Sequence, residues 1–234
     1  MDDKPPEDQN DNVPFRDVVG FVRQLSHDLR NHLNAAELQS VFISEIAADA
    51  ELKAEIKRLR EMISTLGTVL QKLSADLGQI KLTSMPYGAS DFVEDLRIKI
   101  AQEFPQENAA ITWDLQLDDS AFDVDPQLLQ QAFIELFRNA FQHDRGQGAI
   151  AVTAKIGNGQ FVFTLSEPKT QFELSTENWG HEPFRKVGRS HYGLGLNRAR
   201  SIMGAHNGEL RARYDSATST LVTTISLPLS QKRS

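Results

Sequence analysis

The chain of 234 residues is 40% hydrophobic, enough for one large or two modest globular domains, and it carries a net charge of -7. It has no cysteine, which excludes disulfides, zinc-thiolate sites and thiol catalysis. Residues 1–12 hold five acids against Lys4, so most of the net charge sits there and the rest is close to neutral, which argues against a nucleic-acid binder. No apolar run approaches the roughly 18 residues needed to span a bilayer, and the start, MDDKPPEDQNDN, is acidic and proline-bearing, unlike a signal or transit peptide. The expectation is a cytoplasmic chain, without a membrane partner, whose residues 1–13 form a disordered acidic tail.

After Pro14, Val18, Val22, Leu25, Leu29 and Leu33 recur every three or four residues, which predicts a helix to about Ile46 and leaves His27 off the apolar stripe. AADAEL suggests a tight turn. A second pattern then runs Leu52, Ile56, Leu59, Ile63, Leu66, Leu70, Leu73, Leu77, Ile80, its steps alternating between four and three. That period describes a left-handed coiled-coil seam. Two antiparallel helices bury little on their own, so the expectation for residues 14–84 is a helical hairpin that dimerises as a four-helix bundle.

Pro86 and Gly88 in SMPYGAS break the helical pattern and mark the expected start of a second domain over residues 85–234. A helix near 90–103, strands ITWDLQL and AFDV, a helix from Pro126 to about Gln142 and strands AIAVTAKI and QFVFTLSE follow. GELRARY and LVTTISLPL come after one more helix. Strands and helices without regular βαβ alternation indicate an α+β sandwich with helices on one face of a mixed sheet.

Three stretches of this domain can carry chemistry. In DPQLLQQAFIELFRNAFQHD, Asp125 is a helix N-cap, Pro126 takes the first helical position, and Glu135 and Asn139 lie one turn apart beside the buried face. A carboxylate and an amide at that spacing offer two oxygen ligands for Mg2+, or a pair that orients water, although a solvated helix face has the same look. In HYGLGLNRARSIMGAHNGEL, Gly193 and Gly195 open a helix, where backbone N–H groups can meet phosphate oxygens. Between Glu167 and Gly193 lies a long irregular stretch with Arg185, Lys186 and Arg189, the composition of a lid over phosphates or of a solvated loop.

Taken with LSHDLRNHLN, these stretches resemble the catalytic core of two-component sensor histidine kinases over roughly residues 15–229. The first looks like the family's H box, LLQQAFIELFRNAFQHD like its N box, and HYGLGLNRARSIMGAHNGEL like its second glycine box. The resemblance implies a dimerising hairpin with His27 as phosphoacceptor, followed by a domain of the gyrase-type ATPase fold that binds ATP and Mg2+. It assigns Asp28 to the second ring nitrogen of His27, and Asn31 to orienting water toward an aspartyl phosphate on a receiver domain. Glu135 is implied as the catalytic carboxylate, Glu135 and Asn139 as metal ligands, and Asn139, His143, Glu167, Arg185, Gly193, Leu194 and Gly195 as nucleotide contacts.

The sequence departs from the family around the base. Where DxGxG is usual, with an Asp that accepts from the adenine amino group, FVFTLSE runs into PKTQF, so Glu167 stands for the Asp and neither glycine is present. The expectation is weaker ATP binding. Three functions remain in view: a kinase that phosphorylates His27 and passes the group to a response-regulator aspartate, a phosphotransferase or phosphatase whose ATPase-like domain no longer binds nucleotide, and a non-catalytic dimer that docks a receiver domain.

Overall fold

The computed structural model describes residues 15–172, 175–177, 179–180 and 194–230, so the acidic segment 1–13 lies outside the described residues. The chain divides into two compact units, Met1–Gly78 and Gln79–Ser234. Among the described residues, no helix is long and apolar enough to cross a membrane.

In the first unit, helices α1 (Phe15–Ile46) and α2 (Ala50–Asp76) pack against each other. The turn between them is set by Asp49, whose carboxylate accepts from the N–H groups of Glu51 and Leu52 and so caps α2. Ile56 and Ile63, one row of the 3.5-residue seam, are buried, while Leu52, Leu59 and Leu66, the other row, stay exposed. The seam is shorter than its periodicity predicts. Helix α2 ends at Asp76, Leu77 is its C-cap, and Ile80 packs against the core of the second unit. Periodicity records that a residue is apolar, and it does not say which core the residue will join.

The second unit contains β1 (Met85–Gly88), α3 (Ala89–Glu103), β2 (Ile111–Gln116), β3 (Ala121–Val124), α4 (Pro126–Gln142), β4 (Ile150–Gly157), β5 (Gln160–Pro168), α5 (Gly195–Ala205), β6 (Glu209–Asp215) and β7 (Thr220–Pro228). Pro86 and Gly88 therefore sit in a short strand, paired antiparallel with β3, and the boundary between the units falls earlier, at Gly78. Pro86 is tolerated because this ribbon has only two strands, each of them an edge. The main sheet has the order β2-β4-β5-β7-β6, with β2 and β4 parallel and the other pairs antiparallel. A parallel pair needs a crossover, and the β3–α4 segment supplies it.

Alternate residues of β5 and β7 are buried, the period of two expected when one face of a sheet is covered by helices. Phenylalanines dominate that layer. Phe133 of α4 meets Phe163 edge-on at 4.8 Å and Phe92 of α3 at 5.1 Å, and Trp113 stacks on Phe137 at 6.0 Å. Such pairs add about 0.5–1.5 kcal/mol each beyond the area they bury.

One polar cluster fixes the start of α4. Asp125 accepts from the N–H groups of Leu128 at 3.1 Å and Thr83 at 2.9 Å, and its own N–H donates to Nε2 of buried His206 at 3.0 Å. The other ring nitrogen of His206 faces the Ile202 carbonyl at 2.8 Å, so the imidazole is neutral with its proton on Nδ1. Burial alone would raise the Asp125 carboxyl, but the N–H groups of Thr83, Leu128 and Gln127 outweigh it and hold the carboxyl below its usual range. A depressed native value contributes stability above the unfolded value, and that stability is lost as pH falls through the native one. Asp125→Ala should cost about 1–3 kcal/mol in urea unfolding at neutral pH. The gap between wild type and variant should narrow in strong acid, and equal midpoints at pH 7 would count against this account.

Candidate functional site

His27 lies on the exposed side of α1, its side chain 66% accessible and that of Asp28 53%. Its Nδ1 is 3.3 Å from Asp28 Oδ1 and 3.5 Å from the Asn31 amide nitrogen. Both cannot be satisfied at once, because an Nδ1 that donates to a carboxylate has no lone pair left for an amide N–H. The shorter, charge-assisted contact wins, which leaves the Nε2 lone pair directed away from Asp28. Contact with His27, and then with the Gln24 amide at 2.9 Å, holds the Asp28 carboxyl below its usual range. The three predicted groups of the H box are therefore adjacent on one exposed patch.

In the second unit α4 brings Glu135 against the start of α5. A Cβ on Gly195 would collide with the Glu135 carboxylate and lie 2.7 Å from its Cγ, so this close approach requires glycine. A carboxylate at a helix N-terminus is favoured by the dipole and the free N–H groups there. Glu135 is also paired with Arg138, whose other nitrogen reaches Glu103 of α3 at 3.1 Å. Asn139 is half-buried one turn further along, and its side-chain amide makes no hydrogen bond among the described residues. Leu194 is buried as the N-cap of α5, and His143 is the half-buried C-cap of α4.

At the far end of α4, the row Phe161, Phe163, Leu165 that β5 turns toward the core continues with Glu167 and then Lys169. The side chains of both charged residues are only 2% accessible, with Lys169 Nζ 2.7 Å from Glu167 Oε2. That contact is an ion pair by distance, yet its angles leave Oε2 without a regular hydrogen bond among the described residues. Lys169 Nζ instead donates to the His143 carbonyl at 2.7 Å, where the negative end of the α4 dipole welcomes a cation. Burial pushes the Glu167 carboxyl up, and the Lys169 charge only partly offsets it.

Arg185, Gly193 and most of the basic stretch before α5 lie outside the described residues. The described part of that stretch is anchored: Trp179 is buried against Phe172, and its carbonyl accepts from Arg200 Nε at 2.8 Å. Arg138, Glu103 and the pairing of Lys169 are the site features that sequence reasoning did not find. Arg138 had a signal, its i+3 spacing from Glu135.

Residues 124–231 match the family model described as histidine kinase-, DNA gyrase B-, and HSP90-like ATPase. The adaptive-response sensory kinase SasA of Prochlorococcus marinus (strain MIT 9301) is 24% identical over 198 residues, which are 81% of this chain and 53% of that protein. The chain thus spans about half the length of the curated relatives it first matches. Among solved structures, full-length ShkA in complex with AMPPNP is similar with a TM-score of 0.68 at 17% identity, over 92% of this chain and 47% of that one. ThkA in complex with the response regulator TrrA gives 0.57 at 15% identity, over 94% and 65%. At these identities the likeness establishes the fold, a helical pair followed by an α/β domain.

The Gly195–Glu135 contact yields a stability test. Gly195→Ala should destabilise the chain by about 1–3 kcal/mol, because the added methyl overpacks against a carboxylate that Arg138 holds in place. The same substitution in a Glu135→Ala background should cost far less. Equal costs in the two backgrounds, measured by urea unfolding, would show that the contact does not exist in solution.

Proposed function

We propose that this chain, whose residues 124–231 match the histidine kinase-, DNA gyrase B-, and HSP90-like ATPase family model and which is similar over most of its length to sensory kinases, acts as a protein-histidine kinase core. His27 takes the γ-phosphoryl group of ATP and passes it to an aspartate of a response-regulator receiver domain. The observation that carries this reading is the His27 ring, exposed, with Nδ1 against Asp28 and Nε2 open. In that tautomer the Nε2 lone pair attacks phosphorus, the bond to the ADP oxygen breaks, and the positive charge that develops on the ring is met by the Asp28 carboxylate. A second copy of the chain is the natural cover for Leu52, Leu59 and Leu66, an exposed row at heptad spacing. That pairing completes a four-helix bundle.

For the nucleotide, Asn139 with Glu135 suits Mg2+, which keeps several waters and needs only one or two protein ligands beside phosphate oxygens. Gly195 and Leu194 at the start of α5, with Gly193, Arg185 and His143, are the proposed remaining contacts. The receiver partner is supported by ThkA, a structural neighbour solved with a response regulator. Asn31 is proposed to orient water toward the receiver's aspartyl phosphate in the reverse, phosphatase direction. One observation favours a second reading, in which phosphotransfer and phosphatase chemistry persist without nucleotide: Glu167, to which the resemblance assigns the base contact, is buried in an ion pair with Lys169.

His27→Gln should leave a folded protein that accepts no phosphoryl group, either from labelled ATP with Mg2+ or from a phosphorylated receiver domain. Acid-labile label that persists on the variant would overturn the assignment. Leu66→Glu places a carboxylate in the proposed seam and should turn a dimer into a monomer by light scattering, at a cost of several kcal/mol of association free energy. A wild-type chain already monomeric at micromolar concentration would remove the bundle from the proposal.

A further inference from the structure

At Glu167, where the resemblance to the kinase family places the base contact, the second unit holds a charged group of its own, and its surroundings keep it there. Lys169 Nζ lies between Glu167 Oε2 and the His143 carbonyl, 2.7 Å from each. The backbone around it is fastened on both sides: Gly146 N–H donates to the Pro168 carbonyl, Thr170 N–H to that of Asp144, and Lys169 N–H to that of Ser219, all at 2.8–2.9 Å. A Cβ on Gly146 would sit 3.0 Å from the backbone of both Pro168 and Lys169, so the loop after α4 lies flat on this segment. Two acceptors converge at this spot, and an ammonium already occupies it. A neutral amino group on a base offers a weaker hydrogen bond than that ammonium and is not tethered in place. Among the described residues Glu167 Oε2 has no partner besides this ion pair, so its charge is met by the ammonium. The residues at this spot therefore do not fit an adenine.

We infer that Lys169 is a built-in occupant of the base-reading position, so that the domain cannot select adenine and engages a nucleoside triphosphate, if any, by its polyphosphate end. This deepens the nucleotide part of the proposed function and rests on reading the second unit as a nucleotide-binding domain. It turns the missing glycines of the sequence into a physical obstruction by one named side chain. The remedy follows from the same geometry: shortening the acid and removing the ammonium should open the acceptor to a base.

The test is calorimetry on the full chain with Mg-ATP, Mg-GTP and Mg-tripolyphosphate. For the wild type, ATP and GTP should differ in affinity by less than about threefold, or neither should bind. Glu167→Asp combined with Lys169→Gly should favour ATP over GTP by at least about tenfold. Glu167→Gln combined with Lys169→Met keeps the bulk of the plug without its charges, and should fold and gain no preference; circular dichroism checks folding in each case. A wild type that prefers ATP more than about tenfold overturns the inference, as does a folded Asp/Gly variant with no preference. Failure of the kinase reading looks different: no label on His27 from any triphosphate, in the wild type or in the ATP-selective variant, with the binding preferences unchanged.

Discussion

Asp125 decides where α4 begins, and α4 decides where the groups of the second unit stand. The carboxylate stops the helix by accepting from Leu128 and ties in the incoming chain through Thr83, while the Asp125 backbone N–H docks on the end of α5 by donating to His206 Nε2. These hydrogen bonds are worth about 1 kcal/mol each in net terms. The buried face of α4, with Leu129, Phe133, Leu136 and Phe137, contributes more, about 1.5–3 kcal/mol for each large side chain removed from water. The two effects divide the work: burial fixes the helix to the sheet, and the polar cluster fixes its register along the axis. A slip by one residue would rotate Glu135 and Asn139 away from α5 while leaving much apolar area covered.

Glu135 and Glu167 make an instructive pair, because each has a cation beside it and only one can change partners cheaply. The Glu135–Arg138 pair is about a quarter accessible, and exposed pairs of this sort contribute little net stability, so a metal or a water can replace the arginine at small cost. The Glu167–Lys169 pair is buried, and removing one member of such a pair typically costs about 3–5 kcal/mol because the other is left charged in a poor solvent. The proposed chemistry needs the first kind of pair. The second acts as a fixture.

Much of this was legible in the sequence, and the misses have physical causes. Helix α4 was readable to its ends because Asp125 and Pro126 announce the cap and the apolar period runs unbroken to Ala140. The H box was readable because its residues interact within one turn, where sequence spacing is spatial spacing. β1 was missed, since four residues containing a proline and a glycine carry no alternation to detect. Glu103 could not be found, because its contact with Arg138 joins two helices far apart in the chain. The burial of Lys169 was within reach: Phe161, Phe163, Leu165 and Glu167 alternate inward, and two more residues along that row arrive at Lys169.

The order β2-β4-β5-β7-β6 puts the last strand in sequence inside the sheet, between β5 and β6. As the chain is synthesised, β5 is left with an unpaired edge until residues 220–228 have emerged, and β6 has nothing to join. The inward row of β7, Leu221, Thr223, Ile225 and Leu227, is buried, so the core under α5 also stays open until then. Folding of this unit therefore waits for β7 and is dominated by distant pairings, the kind that forms slowly. A ribosome that halts before β7 would leave the candidate site without a floor and with a bare strand edge, a species prone to aggregate.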